Sequence, residues 1–236
     1  FPLDEVSLDF EILGLTADES RQEVRLSAAR TESVNGRVSA LMEADMKTMV
    51  VDVGAHALGR AVLACLPELK TWDKPVGIVD IGASAMTFAA LLKGEVVYSR
   101  LQNFGGDQYS QALASFYSMS LDEAELAKVQ GRLPADHEVD VLLPHLNTLV
   151  LQVKRNVQLF CSSSGNKELS KLVLTGGGSL LPGLVGQIGS ELNCDVLHPD
   201  PFALFGKPKG EGGLIHGAKY MAAFGLALRS FTPCQI

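Results

Sequence analysis

Near the start of the chain apolar and polar residues alternate one by one. Val6, Leu8, Phe10 and Ile12 fall on one side of an extended segment, and Ser7, Asp9 and Glu11 on the other. That is the period of a half-buried strand. A polar turn over 14–22 follows, and then Val24, Leu26 and Ala28 alternate again, predicting an antiparallel partner. From Thr31 the period changes. Val34, Val38, Leu41 and Met42 recur at helical spacing, which predicts a helix to about Ala44. Met49 to Val53 reads as a short buried strand and Ala55 to Leu66 as a helix. The first seventy residues therefore read β-β-α-β-α. Pro67 to Pro75, polar and bounded by proline, is the expected link, dividing the chain into 1–70 and 71–236.

The second part is denser in apolar runs. Val76–Val79 lead into Asp80 and a turn of small residues, Ile81-Gly82-Ala83-Ser84; Ala85–Leu92 and Val96–Leu101 follow, separated by Lys93-Gly94. This reads as strand, glycine turn, strand, hairpin, strand. Phe104-Gly105-Gly106-Asp107 opens a helix from Gln108 to Tyr117, with Asp107 as a candidate cap. Ser120-Leu121-Asp122-Glu123 is a capping box. Glu138 to Cys161 reads as a long helix with Pro144 near its start. Lys171 begins a buried strand that runs into Gly176-Gly177-Gly178, and Leu180 starts a helix to about Leu192. Asp195–Leu197 is a short strand, Asp200–Gly213 a surface loop, and Gly217–Arg229 a terminal helix. Strands alternating with helices in this way predict an α/β fold, a mixed sheet flanked by helices.

Composition narrows the partners. The chain has 236 residues, 47% of them hydrophobic, with 23 glycines and a net charge of −7. That suits a packed α/β protein, and with no basic run it argues against nucleic acid. The four cysteines (Cys65, Cys161, Cys194, Cys234) are scattered without C-x-x-C spacing, so reduced thiols are expected rather than a metal site. No apolar run approaches the ~20 residues of a membrane span. Phe1 in place of Met reads as a fragment or a processed form.

Four stretches could carry chemistry. An acidic residue at a strand end beside a small-residue turn can set backbone N–H groups against a phosphate; the same residues also suit a tight hairpin with an N-capping Asp. Gly105-Gly106 lets a backbone approach closely, or simply turns the chain from strand to helix. Glu125 and Lys128, three apart on a helix, suit a surface ion pair equally well. Three glycines after a buried strand strip the side chains from a strand's carboxyl end, where α/β sheets bind ligands.

The order of these features resembles the nucleotide site of the actin, sugar kinase and heat-shock ATPase superfamily. Within it the chain is most similar to the PilM family, actin-like and FtsA-like components of type IV pilus assembly. The resembling stretches span the chain: FPLDEVSLDFEILG, EVRLSAARTESVNGRVSAL, VVDVGAHALGRA, VDIGASAMTFAALLKGEVVYSR, FGGDQY, LAKVQGRLP, LVLTGGGSLLPGL and GLALRSF. The resemblance implies an actin-like (ribonuclease H-like) lobe preceded by a small β-β-α-β subdomain. It implies ATP and Mg2+ as cofactors. Asp80 would face the metal through a water, and Gly82, Ala83 and Ser84 would cradle phosphate. Gly105, Gly106 and Asp107 would line the phosphate and ribose side, Glu125 and Lys128 would hold ribose and adenine, and Gly176, Gly177 and Gly178 would pack on the adenosine.

The implied partner is the N-terminal cytoplasmic tail of PilN, bound in a groove beside the small subdomain. Other inner-membrane pilus components and self-association are further expectations. The implied location is cytoplasmic, peripheral to the inner membrane through protein partners, with no direct membrane insertion. Two departures stand out. The family's first phosphate loop has no counterpart here, and Gly54 stands where the family carries an acidic residue after Val-Asp-Val. No general base is identified, so at most slow ATP hydrolysis is expected. Competing readings are the related scaffold of type II secretion, a small-molecule kinase on the same fold, and FtsA, whose amphipathic C-terminal helix FTPCQI does not match.

Overall fold

The computed structural model describes residues 2–16, 18–165, 168–205 and 216–231. The chain divides into two compact units, Phe1–Val53 with Ser230–Ile236, and Gly54–Arg229.

In the first unit β1 (Val6–Leu15) and β2 (Gln22–Arg30) form an antiparallel hairpin, followed directly by α1 (Thr31–Glu43). Register places Leu8 opposite Ala28, Phe10 opposite Leu26 and Ile12 opposite Val24, so the apolar residues share one face, as alternation predicts. That face is not covered. Phe10 is 62% exposed and Leu26 65%. Apart from Val6 at the start of β1, the half-buried positions are Ser7, Glu11, Arg25 and Ser27, all on the polar face. The half-buried strand expected at Val6–Ile12 is therefore buried on the opposite side from the one its pattern favours. Met49–Val53, expected as a buried strand, is irregular and exposed; Met49 is 76% exposed. A strand needs a neighbour to take up its N–H and C=O groups, and this segment pairs with neither described sheet.

The second unit has a sheet of order β5-β4-β3-β6-β7. Its strands are β3 (Val76–Ile81), β4 (Met86–Leu92), β5 (Glu95–Gln102), β6 (Lys171–Thr175) and β7 (Asp195–Leu197). β3, β4 and β5 run antiparallel in sequence, whereas β3–β6 and β6–β7 are parallel. Both faces are covered. Val79, Ile81, Phe88, Leu172 and Leu174 pack into one core with α3 (Gly106–Tyr117), α5 (Leu143–Ser164) and α6 (Leu184–Leu192). Val76, Ile78, Ala89, Leu91 and Val173 pack into another with α2 (Gly54–Cys65) and α8 (Met221–Ala227). Each fully buried Leu, Ile or Phe there contributes about 1.5–3 kcal/mol.

α2 thus belongs to the sheet, although the sequence groups it with the first seventy residues. The expected link at 67–75 is also built into this unit. Leu69 is buried in the second core, and the Trp72 indole N–H donates to the Ser170 hydroxyl at 2.9 Å. Polarity at 67–75 reads as linker only until these apolar anchors find partners.

Helix boundaries shift for local reasons. α5 is preceded by a wide π turn over Glu138–Leu142; Pro144 has no N–H to continue an i→i−4 ladder. α4 (Leu121–Gln130) carries the expected capping box, with Ser120 accepting from the Glu123 N–H at 3.2 Å. After Gly176 the chain makes a 3-10 turn, Gly177–Leu180, and α6 starts only at Leu184, because Pro182 and the left-handed Gly183 (φ 81°) interrupt it. α7 (Phe202–Phe205) occupies the start of the expected 200–213 loop; 206–215 and the closing TPCQI lie outside the described residues. The terminal helix is α8 with a 3-10 turn at each end. Cys65, Cys161 and Cys194 are free thiols.

Candidate functional site

Thr175 ends β6, and Asp80 is the last residue but one of the parallel strand β3. They are register partners, so their side chains leave the same face of the sheet. The Thr175 hydroxyl donates to Asp80 Oδ1 at 2.8 Å. Burial pushes the Asp80 carboxyl up, and this hydrogen bond pulls partly against the shift.

The turn after Asp80 closes on itself, the Gly82 N–H donating to the Ala85 carbonyl at 2.9 Å. Its carbonyls hold the start of α3: the Gly106 N–H donates to Gly82 O at 3.0 Å and the Asp107 N–H to Ala83 O at 2.8 Å. A Cβ on Gly105 would overlap both carbonyl oxygens, so glycine is required where the two turns cross. The N-cap of α3 is Gly105, whose N–H donates to Gln108 Oε1 at 2.6 Å. Asp107, expected as the cap, lies in the first turn, because its N–H is already committed to Ala83. Ala83 and Ser84 are exposed, and their N–H groups bond no other described residue. These two donors are what the turn can offer an anion.

Glu125 and Lys128 on α4 sit 2.5 Å apart. They are more than an isolated surface pair, although Glu125 is half exposed. Lys128 Nζ also donates to Ser110 Oγ at 2.6 Å and approaches Gly106 O at 3.5 Å. The Ser110 hydroxyl donates to Glu125 Oε2 at 2.5 Å. Burial raises the Glu125 carboxyl, but Lys128 and Ser110 outweigh it and hold the group below its ordinary value. Ser110 is buried on α3, one turn beyond Gly106, and no sequence motif marks it. His145 of α5 stacks on Phe104 and Tyr109 behind this turn; burial and the Lys128 charge lower it to about 4, so it is a neutral ring at physiological pH.

The three glycines after β6 are not equivalent. Gly176 has φ 82°, and a Cβ on it would overlap the Ile81 backbone. A Cβ on Gly178 would overlap the Ile81 side chain. Both are needed for this turn to pack on the end of β3. Gly177 faces open space, its nearest neighbour being Lys219 Cγ, 4.0 Å from an added Cβ. Ser179, buried, donates to Gly176 O at 2.7 Å and lies 2.8 Å from His198 Nε2. Its one hydroxyl proton goes to Gly176, so His198 Nε2 carries the N–H and is the donor.

Contacts thus tie Asp80, Gly82, Ala83, Gly105, Gly106, Asp107, Glu125 and Lys128 into one cluster, with Gly176–Gly178 packed on its edge through Ile81. Thr175 and Ser110 join it without a motif to announce them. Among the described residues no group of three metal-binding side chains occurs. A lone carboxylate still fits Mg2+, which keeps most of its waters and takes phosphate oxygens as ligands.

A mixed sheet of this order, with glycine turns at the carboxyl ends of β3 and β6, defines an actin-like fold. The same architecture occurs in MreB5 of Spiroplasma citri bound to AMPPNP (TM-score 0.54, 14% identity, 84% of this chain and 64% of that one). It also occurs in the ethanolamine utilization protein EutJ of Carboxydothermus hydrogenoformans (0.55, 23%, 80% and 59%). A chain of the PilM–PilN type IV pilus biogenesis complex matches more closely, with a TM-score of 0.79 at 28% identity over 99% of this chain and 68% of that one. The type IV pilus assembly protein PilM family matches over residues 1–231, and the chain belongs to that family. No helix among the described residues is long and apolar enough to cross a membrane.

Proposed function

We propose that this chain is an ATP-binding scaffold of the type IV pilus inner-membrane assembly complex. It binds the cytoplasmic N-terminal tail of PilN, sits on the cytoplasmic side through protein partners, and couples nucleotide occupancy to assembly. The observation that carries the nucleotide half is the joining of three turns at one sheet end. It leaves two free N–H donors, at Ala83 and Ser84, in the turn that follows the half-buried carboxylate of Asp80 and holds the start of α3.

In this reading Ala83 and Ser84 donate to phosphate. Gly82 shapes the turn rather than donating, since its own N–H is taken. Lys128 and Glu125, held by Ser110, meet the ribose and base. Gly177 leaves room for the adenosine. Asp80 would orient a water of a phosphate-bound Mg2+, and the ion would supply charge neutralisation. Binding, with at most slow hydrolysis, is the function read for the site. The PilN half rests on family membership and on the solved PilM–PilN complex.

Calorimetry tests both halves separately, with Mg·ATP and with a PilN tail peptide as titrants. Gly177→Asp places a carboxylate in open space, so the protein keeps its fold while ATP affinity falls by at least about a hundredfold (roughly 3 kcal/mol). Tail binding stays within about twofold. Unchanged ATP affinity in Gly177→Asp refutes the nucleotide placement, and absence of tail binding refutes the PilN half.

A further inference from the structure

Thr175 is fully buried at 0% exposure, at the end of a strand whose preceding residues are Leu172, Val173 and Leu174. A hydroxyl in such a place costs free energy unless it is bonded, and valine would fill the same volume without that cost. Its partner is Asp80 Oδ1, 95 residues earlier, at 2.8 Å. The parallel register fixes this meeting, since Asp80 and Thr175 are directly paired and share a face. A carboxylate at a strand end can rotate about its last torsion. A donor on one oxygen holds that rotation and leaves the other oxygen presented.

We propose that Thr175 is a positioning residue: its hydroxyl holds Asp80 Oδ1 so that Oδ2 is aimed at a water of the Mg2+ carried by the bound nucleotide. This rests on the nucleotide reading above. The alternative is that Thr175 only satisfies its own burial, in which case it acts on stability and not on the metal.

The two roles differ in what they couple to. Calorimetry on the whole chain measures ATP affinity with Mg2+ and in excess EDTA for the unaltered protein, Thr175→Val, Thr175→Ser, Asp80→Asn and the double variant Asp80→Asn/Thr175→Val. Circular dichroism confirms that each is folded. Thr175→Val weakens Mg·ATP about tenfold, the scale of one hydrogen bond to a charged group, and changes the EDTA affinity by less than about twofold. Thr175→Ser, which keeps the donor, stays close to the unaltered protein and serves as the folded control. On the Asp80→Asn background the valine adds nothing, because its effect passes through Asp80.

Equal losses with and without Mg2+ overturn the inference in favour of packing. A normal Thr175→Val beside a weakened Asp80→Asn overturns the inference alone and leaves the site reading standing. An Asp80→Asn variant with undiminished Mg2+ dependence overturns the assigned role of Asp80 and the inference with it. No ATP binding by the unaltered chain overturns both.

Discussion

Two hairpins in this chain, one written with strict alternation and one as nearly continuous apolar runs, fold into different surroundings. In β3–β4 every apolar residue but Leu92 at the hairpin end is buried, Ile78 and Phe88 both at 0% exposure. In β1–β2 the apolar face holding Leu8, Phe10, Ile12, Val24 and Leu26 is open, while the charged face is the covered one. Period two says which residues lie together; it does not say what lies on them. Covering elements decide that, and they come from elsewhere in the chain: α5 from fifty residues beyond β4 on one face, α2 and α8 on the other.

The sharpest break of the comparison is a matched pair of truncations. Phe88→Ala removes a ring packed against Tyr98 and Phe160 and should destabilise the protein by about 3–5 kcal/mol. Thermal unfolding should fall by roughly 10 °C. Phe10→Ala removes a ring that is 62% exposed, and the melting temperature should move by less than about 2 °C. A large effect at Phe10 means that the open face is covered in solution.

The same contrast shows how much was legible in the residues. The strands of the sheet, the Ser120 capping box, and the glycine turns after β3 and β6 follow from period and from local chemistry. Met49–Val53 did not form a strand, because apolar composition says nothing of a pairing neighbour. The three glycines could be read as a turn, but not sorted. Their separation into two packed glycines and one open one depends on Ile81, ninety-five residues from Gly176. Thr175 and Ser110 act through hydrogen bonds that cross elements, and their sequence neighbours give no sign of them. Asp107 was misplaced as a cap because the demand of Ala83 on its N–H is tertiary.

Glycine substitutions sharpen the comparison at the next scale. Gly176 and Gly14 both have positive φ, 82° and 148°. Gly176→Ala adds backbone strain and an overlap with Ile81, so it should cost about 3 kcal/mol and disturb the end of β3. Gly14 sits in the bulge of β1–β2 with nothing within 4 Å of an added Cβ. Gly14→Ala should cost only the strain, about 1 kcal/mol. Denaturant midpoints at an unchanged m-value are the measurement. Equal costs would place the strain, and not the enclosure of the turn, in control.

The smallest expected effect is the cross-strand pair on the covered face of β1–β2. Arg25 Nη1 lies 3.3 Å from Glu11 Oε2, with side chains 26% and 46% exposed. Two charges so accessible to water gain little from each other after screening and side-chain ordering, so a double-mutant cycle with Glu11→Gln and Arg25→Met should return less than about 1 kcal/mol of coupling. Raising salt from 0.05 to 0.5 M should shrink it further. Coupling well above that, and insensitive to salt, would mean the pair is more enclosed in solution than its exposure indicates. The polar face of this hairpin would then be a true core, and the difference between the two hairpins would be one of chemistry rather than of coverage.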